Sequence, residues 1–192
     1  VFSQCWLKEN LNAGEMIAGS QEMTDNGILE KYCCNDDEAN CETFGGLYQW
    51  DEVMQYVSQE GACGICPEGW HIPADHELSV LEGAVDSQYG IGDEIWENLE
   101  YRGFDVADLL KSTSGWLGNG NGSDAYGFSA LPASTCSNGY FYPTGYIAYF
   151  WSSTEDDLQN AWYRSMMNTE DQSYRFSYGK ENGFSVRCLL DQ

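Results

Sequence analysis

Hydrophobic positions in the first half of the chain recur at helical spacing. Trp50, Val53, Met54 and Val57 follow the i, i+3, i+4, i+7 order of one helix face. This spacing predicts a short helix over residues 49–58, packed on one side.

A second helix is predicted directly after Pro73. Asp75 and Glu77 would lie in its first turn, where the helix dipole favours acidic side chains. The helix is expected to run to about residue 87, with a buried stripe formed by Leu78, Leu81 and Val85. Residues 106–111 are predicted to add a shorter helical segment, which ends before a Ser-Thr-Ser-Gly run.

The pattern changes after residue 127, where short extended runs rich in aromatic residues, serine and valine are separated by glycine, asparagine and aspartate. The predicted strands are residues 128–133, 139–142, 147–152, 160–167, 173–178 and 183–189. Helices followed by strands are typical of an α+β domain with an antiparallel sheet. At about 150 residues per domain, the 192 residues predict a single domain over residues 1–192.

The charge and the apolar content of the chain indicate which classes of binding partner to expect. The chain carries 31 acidic and 8 basic residues, for a formal net charge of -23, and its 15% aromatic content is too high for a disordered acidic tail. An anionic surface repels phosphate backbones, so we expect no nucleic-acid partner. The apolar run at residues 146–151 is far shorter than the ~20 residues of a spanning helix, so we also expect no membrane insertion.

Eight cysteines indicate an oxidising compartment and an extracellular or cell-surface location. Their spacing does not repeat as zinc knuckles do, and Cys63 and Cys66 lack the βαβ frame of a thioredoxin-type redox site. We therefore expect disulfides. Eight cysteines allow about a hundred pairings, so spacing alone assigns no connectivity.

Six ordered runs, which together span nearly the whole chain, resemble one protein family. They are residues 6–12 (WLKENLN), 45–52 (GGLYQWDE), 64–73 (GICPEGWHIP), 127–133 (GFSALPA), 150–155 (FWSSTE) and 183–188 (GFSVRC). On these runs the chain resembles the Fibrobacter succinogenes major paralogous domain family of secreted or surface bacterial proteins. The resemblance implies a C-type-lectin-like fold, of the kind shared with formylglycine-generating enzymes. In that fold the N- and C-terminal strands pair and a long loop region carries the variable surface.

The resemblance also implies a disulfide between Cys66 and Cys188, because both lie in family-like runs. This bridge would tie the first helical region to the last strand. A second expected bridge joins Cys33 to Cys41 and closes the acidic loop at residues 35–38.

The remaining cysteines, Cys5, Cys34, Cys63 and Cys136, depart from the family pattern. Two alternatives stay open for them. Cys63 could bridge to Cys136 and Cys5 to Cys34, or Cys5 and Cys34 could reach a neighbouring subunit.

No catalytic constellation is evident in the sequence. Histidine is the commonest general base, and the chain has only His71 and His76, neither with a motif partner. We interpret His71 as a hydrogen-bonded core residue and His76 as a solvated residue of a helix first turn. Catalytic relatives of the implied fold use two cysteines near the C-terminal part, where this chain has Cys188 alone. We therefore predict no catalytic residue and no enzyme.

The glycine- and asparagine-rich loop at residues 118–124 is the candidate metal site. Asn119, Asn121, Ser123 and Asp124 supply oxygen ligands between glycines that let the backbone fold around a hard cation. Ca²⁺ is the expected ion. The alternative is a simple turn, since glycine and asparagine are also common turn residues and the spacing is not that of an EF-hand.

Aromatic residues in the glycine-rich half suggest a surface that stacks on sugars. The candidate glycan-binding residues are Trp116, Tyr126, Tyr140, Tyr142 and Tyr146. The inference to sugars rests on fold-level analogy, and the same rings would also suit a core or a protein interface.

Two functions follow as expectations. The first is a non-catalytic extracellular module of a bacterial surface that acts in structure or assembly. A terminal strand pairing with a neighbour's sheet edge would join copies head to tail into a filament. The alternative is a carbohydrate-binding module of a secreted or surface protein, with an extracellular glycan as partner.

Overall fold

The computed structural model describes residues 4–191 and shows an α+β architecture with more strand than helix. The helices are α1 (Glu38–Phe44), α2 (Trp50–Val53), α3 (Asp75–Val85) and α4 (Val106–Leu110), with 3₁₀ turns at Cys34–Asp36 and Glu94–Glu97. The strands are β1 (Glu15–Met16), β2 (Glu30–Lys31), β3 (Trp70–His71), β4 (Glu100–Arg102), β5 (Cys136–Ser137), β6 (Tyr140–Phe141), β7 (Ile147–Glu155), β8 (Asn160–Met167), β9 (Ser173–Gly179) and β10 (Leu189–Leu190). No helix within residues 4–191 is both long and apolar enough to cross a bilayer.

A four-stranded antiparallel sheet in the order β4-β9-β8-β7 organises the chain. Strands β7, β8 and β9 follow one another, whereas β4 comes from the helical half and pairs with β9, Tyr101 opposite Tyr174. Because opposite residues of paired strands point to the same side, the register defines two faces. Tyr149 and Tyr163 lie on one face, which we call the tyrosine face, and Phe150 lies on the other.

The other face, the helix face, is covered by α3 and α4. Ala148, Phe150 and Met166 from the sheet share a buried cluster with residues of both helices. The contributing helix residues are Leu81, Val85, Val106, Ala107 and Leu110. The stripe predicted for the second helix is therefore the face that packs on the sheet.

A buried ion network lies between α3 and the helix face. Arg102 and Arg164 both bond to Oε2 of Glu82, and the distance from Arg164 Nε to this oxygen is 3.1 Å. Arg164 Nη1 also lies 2.5 Å from Asp75 Oδ1. Arg175 Nη2 lies 2.7 Å from the other oxygen of Asp75. Burial alone would raise the pKa of Glu82, but the two arginines outweigh burial and hold this pKa below its usual value.

The N- and C-terminal segments of the described chain pair with each other, as the resemblance implies. The amide of Leu7 donates to the carbonyl of Cys188 at 3.0 Å, and that of Leu11 to Val186 at 3.0 Å. The amide of Leu190 donates to the carbonyl of Cys5 at 2.9 Å. Hydrogen bonds thus hold the two ends together across the fold.

The predicted helix over residues 49–58 is wrong in its second half. Helix α2 covers only Trp50–Val53, because Gln55 (φ 51°) and Tyr56 (φ 59°) adopt left-handed backbone. This conformation is incompatible with a continuing right-handed helix. Val57, predicted to be buried, is half exposed as a result.

Two of the six predicted strands are also wrong in extent. In residues 128–133 only Ala130 makes a bridge, to Lys111, because Ser129 (φ 53°) breaks the extended conformation. Residues 183–189 make isolated bridges, and the regular strand β10 begins only at Leu189. The other predicted strands overlap β6 to β9, and the second helix closely matches α3.

The structure contains two disulfides, Cys66–Cys188 and Cys33–Cys41, which are the two favoured pairs. The first closes a separation of 122 residues and joins the segment before β3 to the segment before β10, and the second closes a separation of 8. Disulfides of this kind indicate a non-cytoplasmic protein.

The other two expected bridges are not present. Cys5 and Cys63 are exposed free thiols, whereas Cys34 and Cys136 are buried free thiols. Each expected bridge would therefore join a buried sulfur to an exposed one. Burial also rules out the expectation that Cys34 reaches a neighbouring subunit, since its side chain is only 1% exposed.

Candidate binding groove

The tyrosine face is closed at one end and open at the other. At the closed end Trp151, Ala161 and Tyr163 pack against a cluster that includes Tyr48 and Trp50. At the open end lies a cavity of about 410 Å³. Its lining residues are Ser134, Thr135, Ser137, Tyr142, Pro143, Tyr146, Ile147, Tyr149, Tyr163, Tyr178, Asn182 and Phe184.

A second cavity of about 430 Å³ lies next to the first on the same face of the sheet. Both are lined by Ile147, Tyr149 and Tyr163, so they form one groove, which we call the tyrosine groove. The second cavity continues over Tyr101 and Tyr174 to the edge strand β4. The groove thus runs across all four strands of the sheet.

Aromatic rings form a connected floor in this groove. Tyr149 stacks on Phe184 with ring centroids 4.7 Å apart, and Tyr178 stacks on the same ring at 6.2 Å. Tyr163 lies 6.4 Å from Tyr174. Such contacts fix the rings in place before any ligand arrives. Phe184 and Tyr163 are themselves buried, so the accessible surface of the floor comes from Tyr149, Tyr174 and Tyr178.

Three phenol groups of the floor, those of Tyr149, Tyr163 and Tyr174, remain neutral over the physiological range. Burial, followed by the neighbouring tyrosines, raises the pKa of Tyr149 to about 12. Burial likewise raises the pKa of Tyr163 and that of Tyr174. Each hydroxyl therefore keeps its proton and can both donate and accept a hydrogen bond.

One polar group in the groove has an unused hydrogen-bonding position. Asn182 lines the first cavity and is 2% exposed, and its Nδ2 donates to the carbonyl of Gly179 at 2.8 Å. Within residues 4–191, no donor bonds to its Oδ1. This atom has almost no accessible surface, so it is a buried unpaired acceptor of the fold and not a contact offered to a ligand in the groove.

The predicted glycan-binding residues separate into three groups. Tyr142 and Tyr146 line the groove and are about half exposed. Tyr126 and Tyr140 are exposed but lie outside both cavities. The prediction that Trp116 lies on a glycan-binding surface is wrong, because Trp116 is 5% exposed and its indole donates to Ser112 and to the carbonyl of Ala130.

Sequence reasoning missed the strand residues of the groove, chiefly Tyr163, Tyr174 and Tyr178. The available signal was the alternation of aromatic residues in β9, at Tyr174, Phe176 and Tyr178, with Tyr163 of β8 opposite Phe176. That signal identifies a shared face but not whether the face is open.

Two of the four predicted ligand residues in the loop at residues 118–124 accept hydrogen bonds within the fold. Asn121 Oδ1 accepts from the amide of Trp116 at 3.0 Å, and Asp124 accepts from the amide of Ser129 at 2.7 Å. The amide of Ser123 donates to the carbonyl of Asp108 at 2.9 Å. Across the described part of the chain, no group of three or more histidine, cysteine, aspartate or glutamate side chains is placed to hold a metal. These hydrogen bonds are those of a turn, and calcium binding by the loop stays a prediction.

His71 is a hydrogen-bonded residue in β3, as interpreted from the sequence. Its Nδ1 lies 2.7 Å from Asp191 Oδ1 and its Nε2 lies 3.1 Å from Glu77 Oε2. Both ring nitrogens are therefore engaged. The contacts join β3 to the first turn of α3 and to the end of the described chain, which is a structural role.

The chain is a disulfide-containing α+β domain with an aromatic groove on one face of its sheet. The chain matches the family model described as the Fibrobacter succinogenes major domain over residues 2–189. It therefore belongs to that family, which confirms the family resemblance. Comparisons with curated proteins and with solved structures gave no match.

Proposed function

We propose that this chain is an extracellular carbohydrate-binding module and that the tyrosine groove holds the glycan. The observation that carries the proposal is a preformed groove with a connected aromatic floor and polar side chains, among them Ser137, in its lining. Sugar rings present an apolar face and peripheral hydroxyls. An aromatic platform with a few polar groups at its margin matches both features.

The shape of the groove supports an extended ligand rather than a single sugar. It crosses the sheet from Tyr142 and Tyr146 to Tyr101 on the edge strand. The rings along it offer several stacking positions in sequence. A linear oligosaccharide could occupy these positions in turn.

Charge supports a neutral glycan. The chain has a formal net charge of -23, and Glu100 lies at one end of the groove. Glycans that carry carboxylate or sulfate groups would be repelled by this field at low ionic strength. We therefore propose neutral polysaccharides as ligands and expect acidic polysaccharides not to bind.

The proposal extends to the fold type. We propose a C-type-lectin-like fold, supported by the pairing of the terminal segments and by the irregular region between α4 and β7 that forms one wall of the groove. The fold type does not establish sugar binding, so the groove carries the functional argument.

Replacing Tyr142 and Tyr146 with alanine is the direct test. Each ring would bury about 60 Å² against a sugar, which at about 25 cal/mol per Å² is worth about 1.5 kcal/mol, or roughly tenfold in Kd. We expect each single variant to weaken binding about tenfold to soluble xyloglucan, galactomannan or mixed-linkage β-glucan, measured by calorimetry. Both side chains are about half exposed, so stability should change little.

Tyr140→Ala and Tyr126→Ala are matched controls. Both replace exposed tyrosines outside the groove, so they should bind as the parent does. Polygalacturonate serves as the anionic probe and should bind least. Absence of binding to all three neutral polysaccharides would contradict the proposal, as would an equal loss in the control variants.

Assembly of copies is the second candidate function, and the exposed thiols of Cys5 and Cys63 favour it. Strand exchange is less supported, because residues 5–11 already bond to the C-terminal segment of the same chain. A covalent contact between exposed thiols is the remaining route. If it operates, light scattering and negative-stain imaging should show oligomers or filaments that disappear with reductant or in a Cys5→Ser/Cys63→Ser variant.

A strictly monomeric particle at high protein concentration under oxidising conditions would exclude this assembly. A chelator arm in the same experiment tests the calcium expectation. Oligomers lost on chelation but retained on reduction would point to residues 118–124 instead of the thiols.

A further inference from the structure

Two of the four free cysteines lie in the same buried cluster. Cys34 and Cys136 are 1% and 2% exposed, and both belong to an apolar cluster with Tyr32, Leu47 and Ala133. They come from distant parts of the chain, the turn before α1 and the strand β5. Their meeting is therefore a tertiary feature.

Specific contacts hold the two segments against each other. Cys34 Sγ donates to the carbonyl of Ala133 at 3.0 Å, three residues before Cys136. Asp36 Oδ1 accepts from the amide of Gly19 at 2.7 Å, and the carbonyl of the same glycine lies 3.7 Å from Cys136 Sγ. The segment of Cys34 therefore contacts the segment of Cys136 in two ways, directly through the carbonyl of Ala133 and indirectly through Gly19.

We propose that Cys34 and Cys136 form a third disulfide in the oxidised protein. Each thiol loses one proton and one electron as the sulfur–sulfur bond forms. The oxidant is a disulfide, either of an oxidoreductase or of glutathione, which takes up two electrons and two protons and leaves as two thiols. The compartment indicated by the other two bridges supplies oxidants of this class.

The burial of both sulfurs determines when the bond can form. Burial raises the pKa of the Cys34 thiol to about 11 and that of Cys136 to about 12. Since the thiolate is the reactive form, exchange in the folded protein is slow. The bond must therefore form during folding, before the cluster closes, and it is afterwards shielded from reductant.

Disulfide mapping tests the proposal. The wild-type chain is refolded with oxidised and reduced glutathione, its free thiols are alkylated in denaturant, and it is digested with trypsin and an aspartate-specific protease. Cleavage before Asp36 and Asp51 separates Cys34 from Cys41 and from Cys63. We expect the peptide with Cys33 and Cys34 to be linked both to Cys41 and to Cys136.

Two single variants assign the bridge. In Cys34→Ser, Cys136 should become available to alkylation after oxidative refolding. In the matched control Cys63→Ser, which removes an exposed cysteine, Cys136 should remain protected. Alkylated Cys136 in the wild-type protein would overturn the proposal, and so would a Cys136 bridge that is lost in Cys63→Ser and kept in Cys34→Ser.

The reduced, folded protein provides a second readout that does not depend on forming the bridge. A thiol reagent should modify Cys5 and Cys63 at least tenfold faster than Cys34 and Cys136, since the second pair is buried. Equal rates at all four cysteines would show that the cluster is open and would remove the basis for the proposal.

Discussion

Glu82→Gln is expected to destabilise the protein by about 3–5 kcal/mol, the range for breaking a buried ion pair by removing one partner. Glu82 is the carboxylate that Arg102 and Arg164 share, and all three side chains are almost fully buried. Arg164 would keep Asp75, but Arg102 would lose its ion-pair partner. Urea unfolding followed by fluorescence should show a large fall in the midpoint.

Glu42→Gln is the matched control, because it removes the same charge from an exposed position of α1. It should change stability by less than about 0.5 kcal/mol. Equal effects at both positions would mean that the buried network contributes no more than a surface charge. It would also contradict the lowered pKa of Glu82.

Lowering the pH should also reduce the stability of the wild-type protein, because acid neutralises the carboxylates of the buried ion network. The pKa values of Asp75 and Glu82 are lowered in the folded state; burial opposes this shift, and the neighbouring arginines outweigh it. A lowered folded pKa contributes stability that is present above the unfolded value and is lost as pH falls through the folded one. Stability should therefore hold above about pH 4.5 and decline below it. In Glu82→Gln this decline should be smaller.

Removing the Cys66–Cys188 bridge is expected to destabilise the protein by about as much as Glu82→Gln. The bridge closes a separation of 122 residues, and the loss of loop-closure entropy in the unfolded chain predicts about 5 kcal/mol. The double variant Cys66→Ala/Cys188→Ala would leave the pairing of β10 with β3 to backbone hydrogen bonds alone. Its midpoint in urea should fall well below that of the wild type.

The double variant Cys33→Ala/Cys41→Ala is the comparison, since its bridge closes a separation of only 8 residues. The same relation predicts about 2.5 kcal/mol there. A loss at Cys33–Cys41 equal to or greater than that at Cys66–Cys188 would contradict an entropic origin of the difference. Both variants should be measured without reductant so that the remaining bridge stays intact.

Local patterns predicted the elements that local forces determine. Helix α3 begins at Asp75 as expected, because its acidic first turn and its apolar stripe both lie within the segment. Strands β7 to β9 appeared as separate runs rich in aromatic residues and serine for the same reason. The end of α2 was not predictable in this way, since the left-handed backbone of Gln55 and Tyr56 carries no signal in residue type.

The groove could be predicted only in part. Tyr142 and Tyr146 were identified as candidates because they lie in a glycine-rich region, and they line the groove. Tyr140, in the same region, does not. Residue type therefore suggested the chemistry, whereas the path of the loop between β6 and β7 selected which rings take part.

The sequence by itself determined the α+β class, the anionic charge and the family, because composition, periodicity and ordered motifs are properties of the chain alone. The family resemblance in turn implied the Cys66–Cys188 disulfide. The tertiary structure decided which face of the sheet is open. Both faces carry apolar residues, Phe150 on one and Tyr149 on the other, so alternation could not distinguish them. Only the packing of α3 and α4 against the first face leaves the second free to form the tyrosine groove. The same packing over long sequence separations places Cys34 beside the segment of Cys136 and leaves Cys5 and Cys63 exposed, a division that no spacing rule contains.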